Sequence, residues 1–187
     1  PELRQEIALF ANQAALAIRN ARIFEQAETL NEIGQAVAEA TLEPERVLDL
    51  VLERTLELVG FSKGWISLLD PTTEALEVEV ARGLKPEQWR TLEKGKGITG
   101  QVAEAGQLMN VPDVNQVPGY EPFFPDTKSE LCAPLKYRDE VLGILNLESA
   151  REDAFTQRDE ALILAMANAA AVAIQNARLY ERVSQQS

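Results

Sequence analysis

The sequence predicts an α+β domain built on an antiparallel sheet, and three observations lead there. Helical periodicity occupies both ends of the chain, strand-like alternation occupies the middle, and a hairpin pattern precedes the last helix. With 187 residues, 45% of them hydrophobic, the chain has material for one core, and 26% charged residues keep it out of the disordered class.

Taken in order, residues Leu3–Ala40 contain no proline and a single glycine, Gly34. Leu9, Leu16, Ile23, Leu30 and Val37 recur every seven residues, a seam suited to a partner helix. Phe10, Ala14, Ala17, Ala21 and Phe24 form a second stripe, and two stripes suggest that one packs on a domain while the other meets a partner helix. Pro44 then opens a helix whose apolar stripe, Val47 to Val59, stops at Gly60. The period changes to strand spacing at Trp65–Leu69 and Leu76–Val80, with Asp70-Pro71-Thr72-Thr73 as the turn between them. A short helix is expected over Pro86–Glu93, and another after the run Gly95, Gly97, Gly100, closing at Gly106. Leu108–Val111 reads as a strand, and Pro112–Lys128 as an irregular loop. Glu130–Tyr137 and Val141–Leu147 read as a hairpin around Arg138-Asp139-Glu140, and Thr156 suits the N-cap of the final helix.

The charge balance narrows function. Eighteen Lys and Arg against thirty Asp and Glu give a net charge of −12, which argues against nucleic acid as a partner. A lone cysteine, Cys132, excludes an internal disulfide and any zinc centre made of Cys and His, and fits a reducing compartment. Zero histidines remove Ser-His-Asp and Cys-His nucleophiles, His-ligated haem and a histidine phosphoacceptor together. No catalytic or metal residues are therefore assigned. The longest apolar stretch, Ala161–Ile174, is fourteen residues and broken by Asn168, short of the ~20 that span a bilayer. No segment resembles a signal peptide, so a cytoplasmic location without membrane contact is expected.

The two ends repeat each other. Phe10–Glu25 reads FANQAALAIRNARIFE and Met166–Glu181 reads MANAAAVAIQNARLYE, with ten of sixteen positions identical at an offset of 156. A domain-length offset fits a tandem array, in which the chain opens with the exit helix of an upstream unit. The start at Pro1 rather than Met fits a piece of a longer protein. In the last helix Ala165, Val172 and Leu179 continue the seam, with Asn20 and Asn176 beside it in the two copies.

The middle and end of the chain resemble the GAF domain family. The resemblance rests on an ordered set: Gly97-Ile98-Thr99-Gly100-Gln101-Val102-Ala103, Asn110-Val111-Pro112-Asp113, Ser129 through Leu135, Val141 through Leu147, Ala154-Phe155-Thr156, and Ala173 through Leu179. It implies a six-stranded antiparallel sheet with terminal helices on one face and short helices and loops over the other. It also implies a small-molecule pocket under those loops, and a parallel homodimer formed by the terminal helices. Such domains serve sensory proteins, histidine kinases among them, so a two-component signalling context and a downstream output domain are expected. The resulting division is 1–29 as the upstream helix, 30–183 as the domain, and 184–187 as the start of a linker.

Subfamily signals are weak. Members that bind cyclic nucleotides carry an Asn-Lys; here Asn146 is followed by Leu147. Phe155, Asp159 and Glu160 fit the second half of that pattern, but Thr156 with Asp159 also fits a helix-capping box, which we favour. Covalent bilin and haem are disfavoured by the missing histidine, and sulfoxide reduction by the single thiol. No cofactor is expected, and an unidentified small ligand remains open. Lys94 and Lys96 beside the glycine run could hold an anion, although glycine as a turn-former explains the run more simply. Val117–Pro125 gathers Tyr120, Phe123 and Phe124 with three prolines, a composition suited either to a pocket lid or to capping the sheet. The pocket candidates are Trp89, Ile98, Val111, Tyr120, Phe123, Phe124 and Cys132. The sequence thus favours a ligand-responsive sensory module over a ligand-free dimerising spacer, with a reductase-like enzyme third.

Overall fold

The computed structural model describes residues 44–185, with residues 14, 15, 18 and 19, which are helical. Six antiparallel strands form one sheet in the order β3-β2-β1-β6-β5-β4. They are β1 Gly64–Leu69, β2 Ala75–Arg82, β3 Leu92–Glu93, β4 Met109–Val111, β5 Ser129–Tyr137 and β6 Glu140–Ser149. Among the described residues from 44 onward three α-helices accompany them: α1 Pro44–Val59, α2 Gly97–Ala105 and α3 Gln157–Gln185. The architecture is the α+β class that the sequence predicts, with the six strands that the family resemblance implies.

Helix α1 buries Val47, Leu48, Val51, Leu52 and Leu56, one face of a 3.6-residue period. The buried hydroxyl of Thr55 on that face donates to the Val51 carbonyl at 2.6 Å, so it enters the core satisfied. Gly60 ends the helix at φ 73°, and its amide donates to the Leu56 carbonyl at 2.9 Å. At the other end of the domain, the Thr156 amide donates to Asp159 Oδ2 at 2.8 Å and the Asp159 amide to Thr156 Oγ1 at 3.4 Å. That reciprocal pair is the capping box, and it starts α3.

Strand alternation separates two cores. Ile66, Leu131, Ala133, Leu145 and Leu147 face α1 and α3, where Ile163, Met166, Ala167, Ala170 and Ile174 meet them. Trp65, Cys132 and Ile144 face the other way, against Leu76, Ile98, Val102, Val111 and Phe124. Each fully buried Leu or Ile contributes ~1.5–3 kcal/mol, so both layers matter to stability. The link between the two hairpins is the β1–β6 pairing, where Gly143 lies opposite Leu68. A Cβ on Gly143 would sit 2.1 Å from the Ser67 carbonyl oxygen, so only glycine permits that approach.

Two expectations are corrected. The stretch Pro86–Glu93 is not a helix: a single 3-10 turn covers Pro86–Gln88, and Leu92–Glu93 forms β3, paired with Leu76 and Ala75 of β2. The Gln88 side chain accepts the Lys85 amide at 3.0 Å, closing the turn, and the strand then exists through a long-range partner. The second concerns length. Gln157–Leu179 is a 23-residue stretch long and apolar enough to cross a membrane, longer than the Ala161–Ile174 run. Half of it is buried within the domain, as expected of a core helix packed on β5 and α1.

Of the upstream segment only residues 14, 15, 18 and 19 are described, and the seam positions Leu9, Leu16, Ile23, Leu30 and Val37 lie outside the described residues. Of the seam positions in α3, Val172 is 42% and Leu179 48% exposed, while Ala165 is half-buried.

Candidate functional site

On the sheet face opposite α1 and α3, a chamber of about 300 Å³ lies between the strands and a cover of loops. Its floor is Trp65 of β1, Glu130 of β5 and Glu148 of β6. One wall comes from Arg90–Glu93, a second from the first turn of α2, Lys96–Thr99, and the lid from Gly119–Glu121 and Phe123.

The lid is held by its own chemistry. Phe123 packs on Trp65 in a tilted pair with centroids 4.4 Å apart, and the Arg90 guanidinium lies 4.5 Å from the Phe123 ring centroid. Arg90 also donates to the carbonyls of Glu121 (2.8 Å) and Pro122 (3.1 Å). Phe124 is buried beside the same indole, its ring centroid 6.1 Å from that of Trp65. Behind the wall, Gly95 (φ 82°) donates its amide to the Gly100 carbonyl at 2.8 Å, and a Cβ on Gly100 would strike the Glu93 carbonyl. The glycine run is therefore a tight turn. Lys94 pairs with Glu74 at 2.7 Å and Lys96 with Glu93 at 2.5 Å, so both lysines already have acidic partners.

The floor is unusual in its polarity. Glu130 and Glu148 are register partners on adjacent strands, and each is only 2% exposed. Tyr120 donates its hydroxyl to Glu130 at 2.6 Å. Glu148 accepts from the Thr127 hydroxyl and from the Phe124 amide at 3.4 Å. Burial, and then the neighbouring Glu148 charge, push Glu130 up to about 8, against the pull of Tyr120. Burial likewise pushes Glu148 up to about 7, opposed by the Thr127 and Phe124 bonds and by the Lys63 charge. The pair titrates as a unit and holds a proton near neutrality. The same surroundings raise the Tyr120 hydroxyl, chiefly through burial, so it stays a donor. Asn146 stands in the next row, partnered with Trp65 on one side and Cys132 on the other. Its amide favours the charged form of Glu130, but neither amide atom completes a hydrogen bond; nor does Trp65 Nε1.

Ile98, Tyr120 and Phe123, all expected at the pocket from the sequence, line the chamber. Val111, Phe124 and Cys132 are buried in the core beneath it, and Trp89 packs at the edge of that core without lining the space. Burial, followed by the Glu130 charge, pushes the Cys132 thiol up, which suits a packing residue. The nucleotide-like trio has structural work: Phe155 packs on Phe61 at 4.7 Å, Asp159 caps α3, and Glu160 accepts from Asn110 Nδ2 at 2.8 Å. Sequence reasoning missed Trp65, Arg90, Glu130 and Glu148. The last two left a signal: each is a carboxylate in a strand that is otherwise buried along nearly its whole length.

Fold and chamber together define a module with a ligand-sized space on one sheet face and its terminal helix on the other. Comparison with known proteins names the class: a family model for the GAF domain matches residues 41–175, and the chain belongs to that family, a regulatory and sensory one. It is 33% identical over 99 residues to a dual 3',5'-cyclic-AMP and -GMP phosphodiesterase 11A of Takifugu rubripes, covering 46% of this chain. The matched region is a tenth of that relative's length. Among solved structures, the GAF domain of an Acinetobacter phosphoenolpyruvate-protein phosphotransferase superposes with a TM-score of 0.73 at 20% identity. That match covers 84% of this chain and 98% of the other. Free methionine-R-sulfoxide reductase of Neisseria meningitidis, in complex with its substrate, gives a TM-score of 0.73 at 21% identity, covering 82% and 90%. At these identities the structural likeness speaks to the fold alone.

Proposed function

We propose that this chain is a non-catalytic sensory module that binds a small ligand in the chamber and passes the event to a downstream output domain through α3. The observation that carries the reading is the chamber itself: a 300 Å³ space with an aromatic lid and buried polar groups on its floor. Ligand sites of this kind combine apolar walls with a few placed polar atoms. Transmission requires the ligand to favour one of two helix arrangements over the other. The exposed Leu164, Val172 and Leu179 on α3 supply an apolar face for that second element, which we assign to a parallel homodimer. In the full protein the chain would follow an upstream GAF domain and precede an output domain, such as a histidine kinase, in a cytoplasmic setting.

Sulfoxide reduction by a thiol is disfavoured for this chain, because such chemistry needs a second thiol to resolve the first. The chain holds one cysteine, and it is buried.

Thermal-shift measurements over cyclic nucleotides and charged and neutral metabolites test the sensory reading. A ligand at 100 times its dissociation constant stabilises the fold by ~2.7 kcal/mol. Stabilisation by a member of the panel, abolished when the lid is altered by Phe123→Ala, is the expected result. A flat response across the whole panel would leave the dimerising spacer as the better account.

A further inference from the structure

The charges of the chamber do not balance. At the rim, Arg90 lies 3.7 Å from Glu121 and Lys96 2.5 Å from Glu93, so each cation already faces an acid. On the floor, the groups that hydrogen-bond to or act on Glu130 and Glu148 at short range are uncharged: Tyr120 and the Asn146 amide for the first, Thr127 and the Phe123 and Phe124 amides for the second. Lys63, whose charge reaches Glu148, is engaged with Asp126 at 2.5 Å and lies 5.1 Å over the Phe124 ring. Two carboxylates buried side by side without a cation are costly, and removing water from them is the reason.

Other groups on the same floor are also incomplete. Trp65 is 1% exposed and its indole N–H has no acceptor; Asn146 is fully buried, and its amide acts on Glu130 without completing a hydrogen bond of normal geometry. Buried polar groups in native folds are normally satisfied. Ser67 Oγ and Trp89 Nε1 are further exceptions away from this row, but Trp65 and Asn146 are register partners in the row next to the two acids, and Trp65 lines the chamber.

We propose that the chamber binds a small organic cation, an ammonium or guanidinium on an apolar body, with Glu130 and Glu148 as its counter-charges and Trp65 and Phe123 packed against the body. The inference rests on the sensory reading above and names its ligand class. A cation supplies the charge and the donors that the two carboxylates lack, and aromatic faces favour the same sign of charge. A hydrogen-bond acceptor on the ligand satisfies the Trp65 indole. Because the pair carries a proton near neutrality, an entering cation displaces it. Binding therefore tightens as pH rises through the titration of the pair, with Tyr120, Lys63, Arg90, Lys96, Glu93 and Glu121 as the other titratable or charged groups around it.

The test uses three probes with one skeleton: tyramine (cation), tyrosol (neutral) and 4-hydroxyphenylacetate (anion), with methylguanidinium as a second, smaller cation. Binding is read from tryptophan fluorescence and from the thermal midpoint of the whole chain. Tyramine or methylguanidinium should saturate at millimolar concentration or below. The tyramine affinity should exceed that of both isosteres by at least ~10-fold, and Glu130→Gln or Glu148→Gln should weaken cation binding by ~10–100-fold. Without ligand at pH 8, both Gln variants should melt above the wild type, which separates loss of a site from loss of the fold. The proposal is overturned if neither cation binds, if tyrosol or 4-hydroxyphenylacetate binds as tightly, or if the Gln variants keep cation affinity. Binding of an uncharged or anionic probe would overturn the ligand class while sustaining the sensory reading; silence from these probes and the broad panel would remove both.

Discussion

Glu130 and Glu148 sit directly opposite each other on β5 and β6, both buried, with Tyr120 bonded to one and Thr127 to the other. Ordinary strand pairs place like charges apart, because facing carboxylates in a dry layer repel. A fold that keeps such a pair gives up stability at one place, and that loss is measurable.

The first prediction concerns pH. Both carboxylates have folded-state values raised from 4.5, to about 8 and about 7, so the native state binds more protons than the unfolded chain between those limits. Stability therefore falls as pH rises from about 5 to about 8, by on the order of a few kcal/mol. Urea titrations at pH 5, 6, 7 and 8 should show the decline, and Glu130→Gln should flatten it. A wild-type profile that rises over this range would contradict the assignment.

The second concerns the start of α3. Thr156→Ala removes one half of the capping box and should cost ~1 kcal/mol in denaturant midpoint analysis. Asp159→Asn should cost less, since the amide oxygen still accepts from the Thr156 backbone. If Asp159→Asn abolished binding of a ligand while leaving stability untouched, Asp159 would belong to a binding motif instead.

The third concerns the central strand pairing. Gly143→Ala places a methyl 2.1 Å from the Ser67 carbonyl oxygen and forces β1 from β6. Gly60→Ala meets nothing within 4 Å and strains only the backbone, at φ 73°. The expected order of destabilisation is Gly143→Ala above Gly60→Ala, the latter ~1–2 kcal/mol. Equilibrium unfolding of the two variants side by side decides the order.

The fourth concerns the outer face of α3. Val172→Glu combined with Leu179→Glu changes exposed positions, so stability of the folded unit should move little, within ~0.5 kcal/mol per site. Light scattering should nonetheless report a monomer. A dimer that survives both charges would move the interface away from this face.

Much of the fold is legible in the sequence because its signals are local. The stripe of α1, the Gly60 stop, the alternation of β1 and β2 and the Thr156 cap each follow from neighbours within a few residues. What escapes is set by distant partners. Strand β3 is two residues long and exists because β2 lies beside it. Trp65 and Arg90 become site residues only when the lid folds back over β1 and brings Phe123 against both. The meeting of Glu130 with Glu148 depends on the β5–β6 register, which a shift at Leu135 and Lys136 helps to set. Each glutamate alone reads as an oddity in an apolar strand; the register turns the two into a pair.

The most direct test of the chamber as a proton-linked cation site is calorimetric titration of tyramine at pH 7 in buffers of different ionisation enthalpy. The account predicts a net release of protons to the buffer on binding, reduced in Glu130→Gln and Glu148→Gln. Saturable binding with no proton release, or with proton uptake, would contradict it.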